Sequence, residues 1–197
     1  MLHKKGIALV IFFAFAAGAL AYDIRVSRLN SWELTFESRP PRVMSLVEED
    51  TLVNYTYVIY QVTNNTPQEI DFYPTFEIET DDGSVHRAQL FPDIAARLAE
   101  RFGKDILNTS KIAGIIKPGE TKRGVATFKD VDTGSDKLNV YVGGLSGDLK
   151  VEREKTDGER VVTLYRTFKS VYYRPGDEFD VEIDPVILES SEWVWRE

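Results

Sequence analysis

From Val53 to Thr80 the chain alternates with period two. Val53, Tyr55, Tyr57 and Ile59 fall on one face of an extended strand, and Asn54, Thr56, Val58, Tyr60 and Val62 fall on the other. β-branched and aromatic residues dominate both faces, as a pleated, half-buried surface requires. With both faces covered this is a central strand, and its rings are packing, not a binding face. Asn64-Asn65-Thr66-Pro67 breaks the run with turn chemistry. Ile70, Phe72, Phe76, Ile78 and Thr80 then hold even positions, with Glu69, Asp71, Glu77 and Glu79 at odd ones. That is apolar-in, acidic-out alternation. Pro74 cannot donate to a ladder, so the strand is expected to be interrupted or to lie at an edge there. Asp81-Asp82-Gly83 predicts a hairpin turn into Ser84 to Leu90.

One segment has a helical period. Pro92-Asp93 opens it, Ile94, Leu98 and Phe102 recur every four residues, and Gly103 ends it in a left-handed conformation. Three amphipathic turns between strands predict a cap over one end of a sheet sandwich. Strands then resume at Ile112–Ile116, Thr121–Phe128 after the Lys117-Pro118-Gly119-Glu120 turn, and Leu138–Val142 before Gly143-Gly144. Leu149–Glu154, the Asp157-Gly158 turn and Arg160–Tyr173 read as a hairpin with a long second arm. Phe179, Val181 and Ile183 alternate with Asp180, Glu182 and Asp184, and Trp32, Leu34 and Phe36 suggest an earlier strand. Many short strands, frequent turn signals and one short helix predict an all-β, antiparallel β-sandwich.

The N-terminus changes the picture of where this sandwich works. Lys4 and Lys5 precede an uncharged, mostly apolar run from Gly6 to Leu20, and Ala19-Leu20-Ala21 supplies small residues at a cleavage site. This is the layout of a secretory signal peptide, with an apolar run shorter than the ~20 residues that span a bilayer. Cleavage is expected after Ala21, leaving one domain over residues 22–188 and a short tail over 189–197. A sub-boundary at 143–147 is the alternative, with the last strands as an appended sheet. The expected location is the periplasm or the exterior, with no transmembrane span after cleavage. Loss of Lys4 and Lys5 leaves 22 basic residues against 32 acidic ones, a net charge of −10. Such a surface repels phosphate backbones, so nucleic acid is not an expected partner. The chain has no cysteine. Disulfide staples, thiolate nucleophiles and cysteine-ligated metals are therefore excluded.

Few residues offer chemistry. Asp130, Asp132 and Asp136 are spaced in a loop as calcium ligands can be, although Tyr141 stands where an EF-hand loop carries glutamate. An ordinary polar connection explains the same residues. Gly114 to Thr121 has the glycine spacing of a phosphate loop, but Glu120 occupies the lysine position, so a hairpin turn is read instead. Ser84 and His86 share a strand face without a third partner, which is not a triad. The acids at 69–79 and at Asp180, Glu182 and Asp184 could form the facing pair of a glycoside hydrolase, but strand alternation already explains them as solvent-side residues. Asn54, Asn64 and Asn108 each head an Asn-X-Ser/Thr acceptor pattern. Trp193 and Trp195 share a face if the tail is extended. They either anchor a partner or tuck in as the last strand of the sandwich.

Tyr57 to Thr66, Phe76 to Gly83, Lys117 to Glu120, Val140 to Gly147 and Tyr172 to Asp177 together resemble a group of uncharacterised exported bacterial proteins, over residues 53–197. The resemblance implies an immunoglobulin-like sandwich and an address outside the cytoplasm. It implies no activity and carries over no catalytic residue. The reading is therefore a noncatalytic envelope module, without a cofactor, that binds an envelope protein or a glycan. A carboxylate-based hydrolase of envelope polysaccharide and a calcium-stabilised structural domain are the alternatives.

Overall fold

The computed structural model describes residues 25–27, 31–156, 158–175 and 186–197. The expected signal peptide, the Asp157 turn position and the Phe179–Asp184 strand lie outside the described residues. Among the described residues the fold is mostly β, with two helices. In chain order the elements are β1 (Arg25–Ser27), β2 (Thr35–Ser38), β3 (Arg42–Glu48), β4 (Thr51–Thr63), β5 (Ile70–Phe72), β6 (Thr75–Thr80), β7 (Val85–Arg87), α1 (Pro92–Phe102) and β8 (Ile106–Asn108). Then come α2 (Thr109–Ile112), β9 (Gly114–Ile116), β10 (Thr121–Lys129), β11 (Lys137–Gly143), β12 (Leu149–Thr156), β13 (Gly158–Tyr173) and β14 (Ile187–Arg196).

The strands form two main sheets and a small two-stranded one. A seven-stranded sheet contains β1, β12, β13, β11, β6, β7 and β14. A five-stranded sheet contains β2, β3, β4, β10 and β8. Pairing is antiparallel except for β8 beside β10. The two sheets share one core. Val58, Tyr60 and Val62 of β4 and Ala126 and Phe128 of β10 meet Phe76 and Ile78 of β6 and Val140 and Val142 of β11.

β4 is the central strand that its sequence predicts. Its even positions face the inter-sheet core, and Tyr55, Tyr57 and Ile59 build a second core with Ile94 and Leu98 of α1. α1 therefore lies on the outer face of the five-stranded sheet, where a cap over one end of the sandwich was expected. The reason is the odd face of β4, which is as apolar as the even one and needs its own cover. An 11-residue helix is marginal alone. Burying Ile94 and Leu98 supplies roughly 1.5–3 kcal/mol for each side chain. Gly103 ends the helix at φ 120° and ψ 141°, an extended conformation suited to glycine and not the left-handed helical turn expected.

Three further expectations change. The expected single helix is joined by α2, a four-residue turn that replaces the start of the Ile112 strand. Its cap is Asn108, whose side chain accepts from the Lys111 amide at 2.9 Å. The Lys117–Glu120 turn closes no hairpin, because β9 pairs with β5 while β10 pairs with β4 and β8. It moves the chain from the small sheet into the five-stranded one. Pro74 does interrupt its strand, and the halves β5 and β6 join different sheets.

The Gly143–Gly147 stretch lies within one long hairpin. β11 and β12 both run antiparallel to β13, but from Val142 to Leu149 seven steps face only three on β13, from Phe168 to Tyr165. The surplus loops inward. Leu145 is buried, its carbonyl accepts from the Leu34 amide at 2.8 Å, and the Gly147 amide donates to the Trp32 carbonyl at 3.0 Å. Gly144 is required there, since it has φ 81° and any Cβ would collide with the Tyr73 carbonyl oxygen.

Candidate functional site: the C-terminal edge strand

The tail expected over 189–197, with two open placements, belongs to strand β14, which runs from Ile187 to Arg196. It pairs with β13 from Tyr165↔Arg196 to Tyr173↔Ile187, with a bulge where Val171 meets Ser190 and Tyr172 meets Leu188. β11 occupies the other side of this half of β13: Phe168 lies between Val142 and Trp193. Among the described residues, β14 is hydrogen-bonded on one side only. Its first six residues are exposed, including Ile187 and Leu188 at 52% and 50% of their surface.

Trp193 and Trp195 share the inward face of β14, as their spacing requires, but neither indole stands free. Trp193 packs edge-on against Phe168 at 5.2 Å, and the Arg166 guanidinium covers it at 4.4 Å from the ring centre. Arg166 is itself fixed by Glu33 at 2.9 Å and Asp148 at 3.2 Å. The Lys150 ammonium lies 5.2 Å over the Trp195 ring and pairs with Glu152 at 2.7 Å. Cations thus occupy indole faces that a sugar ring would need. On the outward face, Arg196 stacks 3.8 Å from the Tyr141 ring centre and bonds Glu77 at 2.8 Å. The Tyr141 hydroxyl donates to Glu79 at 2.9 Å. Burial, reinforced by that bond, pushes its pKa up to about 12.

The other sequence candidates fall as follows. Asp130, Asp132 and Asp136 are not gathered: among the described residues no group of three or more His, Asp or Glu could hold a metal ion. Asp132 instead folds its own loop, accepting from the Gly134 amide at 2.9 Å and the Ser135 hydroxyl at 3.4 Å. The Asp136 amide donates to Asp81 at 3.1 Å. Ser84 bonds Asp82 at 3.0 Å, and His86 sits on the three-residue strand β7. Glu77 and Glu79, two of the seven acids considered for hydrolysis, lie on the outward sheet face, Glu77 held by Arg87 and Arg196 and Glu79 by Tyr141. Asp180, Glu182 and Asp184 lie outside the described residues. Asn64 is buried and makes a structural network. Its side-chain nitrogen donates to the carbonyls of Gln68 at 2.7 Å and Ile116 at 2.8 Å, and its oxygen accepts from the Thr66 amide and hydroxyl. Among the described residues no helix is long and apolar enough to cross a membrane.

What sequence reasoning missed is the edge itself. The signal was present in Ile187–Arg196, a run without proline or glycine that carries β-formers, but the acids at 189 and 192 gave its first half the look of a tail. Comparison of this chain with protein-family models, curated proteins and solved structures finds no match.

Proposed function

We infer that this chain is an exported, noncatalytic envelope module with an immunoglobulin-like sandwich, and that it binds an extended segment of a protein partner along β14. The observation that carries this reading is the open edge. Ten residues of strand present backbone donors and acceptors on one side, flanked by exposed Ile187 and Leu188. Such an edge is a template for strand addition, with main-chain bonds giving affinity and alternate side chains giving selectivity. Among the described residues the other outer strands are shorter: β7 and β8 have three residues each, and β3, paired with β4 alone, has seven against ten in β14. A protein partner fits better than a glycan, because Arg166 and Lys150 cover the tryptophan rings. Export rests on the leader pattern of residues 1–21, and an intact mass that includes them would refute cleavage.

The test uses the mature chain as bait in envelope extract, beside an Ile187→Lys/Leu188→Lys variant. Both positions are exposed, so the fold is expected to survive, and lysine on an edge opposes strand pairing. Partners bound by the parent and lost from the variant support the reading. Equal capture by both, or no capture, refutes it. Trp193→Ala is unsuitable as the sole probe, since it removes a ring packed against the core.

A further inference from the structure

We propose that the cleft between the β3–β4 hairpin and α1 binds an amphiphilic organic cation, an amine or quaternary ammonium on an apolar body. This site is separate from the β14 edge. β4 outruns β10: its partners on β10 cover only residues 55–63, while β3 pairs with it from residue 51. The hairpin closes through Glu49 and Asp50, both at positive φ (46° and 65°), the two-residue turn whose twist suits antiparallel strands. The overhanging arm and the start of α1 enclose a cleft of about 740 Å³. That is within the range of ~300–1,000 Å³ typical of small-molecule sites.

The walls mix charged side chains with a strip of apolar and aromatic ones. Leu46, Tyr55, Phe91 and Ile94 line it, and the Tyr55 and Phe91 rings meet edge-on at 4.9 Å. The charges that line it are Glu48, Asp93 and Glu100 against Arg97 alone. Glu48 is anchored: the Tyr55 hydroxyl donates to it and Lys129 approaches at 3.4 Å. The tyrosine bond also holds the Glu48 carboxyl below its ordinary range, so it is ionised at neutral pH. Even when Lys129 is counted against Glu48, one carboxylate remains in excess. An anion is repelled by that excess and by the acidic mature chain. A small hydrated metal ion gains nothing from the apolar walls. A cation with an apolar body satisfies both features, its charge meeting the carboxylates and its body packing on Leu46 and Phe91; the Tyr55 ring already carries Lys129 at 5.5 Å.

The probes are 3-phenylpropylamine and 3-phenylpropanoate, which share a body and differ in the sign of charge. Added to the mature chain, the amine is expected to raise the melting temperature saturably in the millimolar range, and the acid to leave it unchanged. Asp93→Asn and Glu100→Gln are each expected to weaken amine binding about two- to fivefold, the worth of a partly exposed ion contact. Ala96→Trp, at an exposed helix position lining the cleft, is expected to abolish binding while preserving the fold. Equal response to both probes, binding that survives Ala96→Trp, or no response to the amine overturns the proposal.

Discussion

Two tyrosines in the same core make opposite predictions for the same chemical change. Tyr60 and Tyr172 are each only 2% exposed. The Tyr172 hydroxyl lies 3.1 Å from the Ser38 hydroxyl. The Tyr60 hydroxyl has no hydrogen-bond partner among the described residues, and burial raises its pKa beyond the ordinary phenol range. Its ring is held by Phe76 at 4.7 Å and Phe36 at 5.7 Å, so it cannot swing out to find one. Burying a hydroxyl without a partner costs roughly 1–3 kcal/mol. Tyr60→Phe removes that cost and leaves a void one oxygen wide, worth a few tenths of a kcal/mol. The expected result is a gain of about 1 kcal/mol, or a melting temperature ~2–4 °C higher for a domain of this size. Tyr172→Phe loses a working hydrogen bond and is expected to cost about 0.5–1.5 kcal/mol. Urea unfolding of the mature chain, followed by tryptophan fluorescence, reads both values, with the slope expected to stay constant. The reasoning fails if Tyr60→Phe destabilises as much as Tyr172→Phe, because the Tyr60 hydroxyl would then have a partner.

Other outcomes follow from the same packing. Gly124→Ala places a methyl 2.6 Å from the Tyr60 hydroxyl and 2.7 Å from Ile112 Cδ1; a loss of about 1–3 kcal/mol is expected in the same urea assay. Asn64→Ala removes the side-chain donor to the Ile116 carbonyl, leaves the Gln68 carbonyl with the Thr66 hydroxyl at 3.1 Å, and frees the turn before β5, so a fall of roughly 1–3 kcal/mol in unfolding free energy is expected. Tyr141 has a folded pKa of about 12, above its ordinary value of 10.0. Its neutral form therefore contributes stability that is complete below pH ~10 and lost as pH rises toward ~12. Tyr141→Phe should lose one late-titrating phenol by tyrosinate absorbance and soften the alkaline fall in stability.

How much of this was legible depended on where the period-two pattern was clean. β4 announced both of its faces, because Tyr55, Tyr57 and Ile59 alternate with Val58, Tyr60 and Val62. The interruption at Pro74 and the hairpin at Asp82-Gly83 were equally plain, since each rests on one residue's backbone chemistry. β3 went unforeseen because Arg42 to Glu48 mixes its faces and its turn uses Glu49 and Asp50 where glycine or asparagine is usual. α2 was hidden by its length, since four residues carry no period. The tryptophan pair was readable as a pair, but not the cations over it: Arg166 and Lys150 come from β13 and β12, and only the register delivers them. The aspartate loop left two readings open for the converse reason. Close spacing in sequence does not converge carboxylates in space when one of them spends its oxygens on its own turn.

Strand length connects the two surfaces proposed here. In each sheet the longest strand outruns a neighbour: β4 has 13 residues beside nine in β10, and β13 has 16 beside seven in β11. A strand that ends level with its neighbours closes its core flush. A strand that overshoots carries an unpaired arm past the packed layer, and its partners must cover what they can. At β4 the arm is met by β3 and α1, whose separation leaves the cleft. At β13 the overshoot takes β12 along one side, and the other side of its second half takes β14, which ends the sheet with an open edge. Shortening either arm is thus the sharpest way to separate architecture from recognition. Removing residues 48–51 and closing the hairpin with Asn-Gly leaves the 55–63 pairing with β10 intact. The cleft loses its Glu48 wall while both cores keep their buried residues, so amine binding should vanish and β14 recognition should persist.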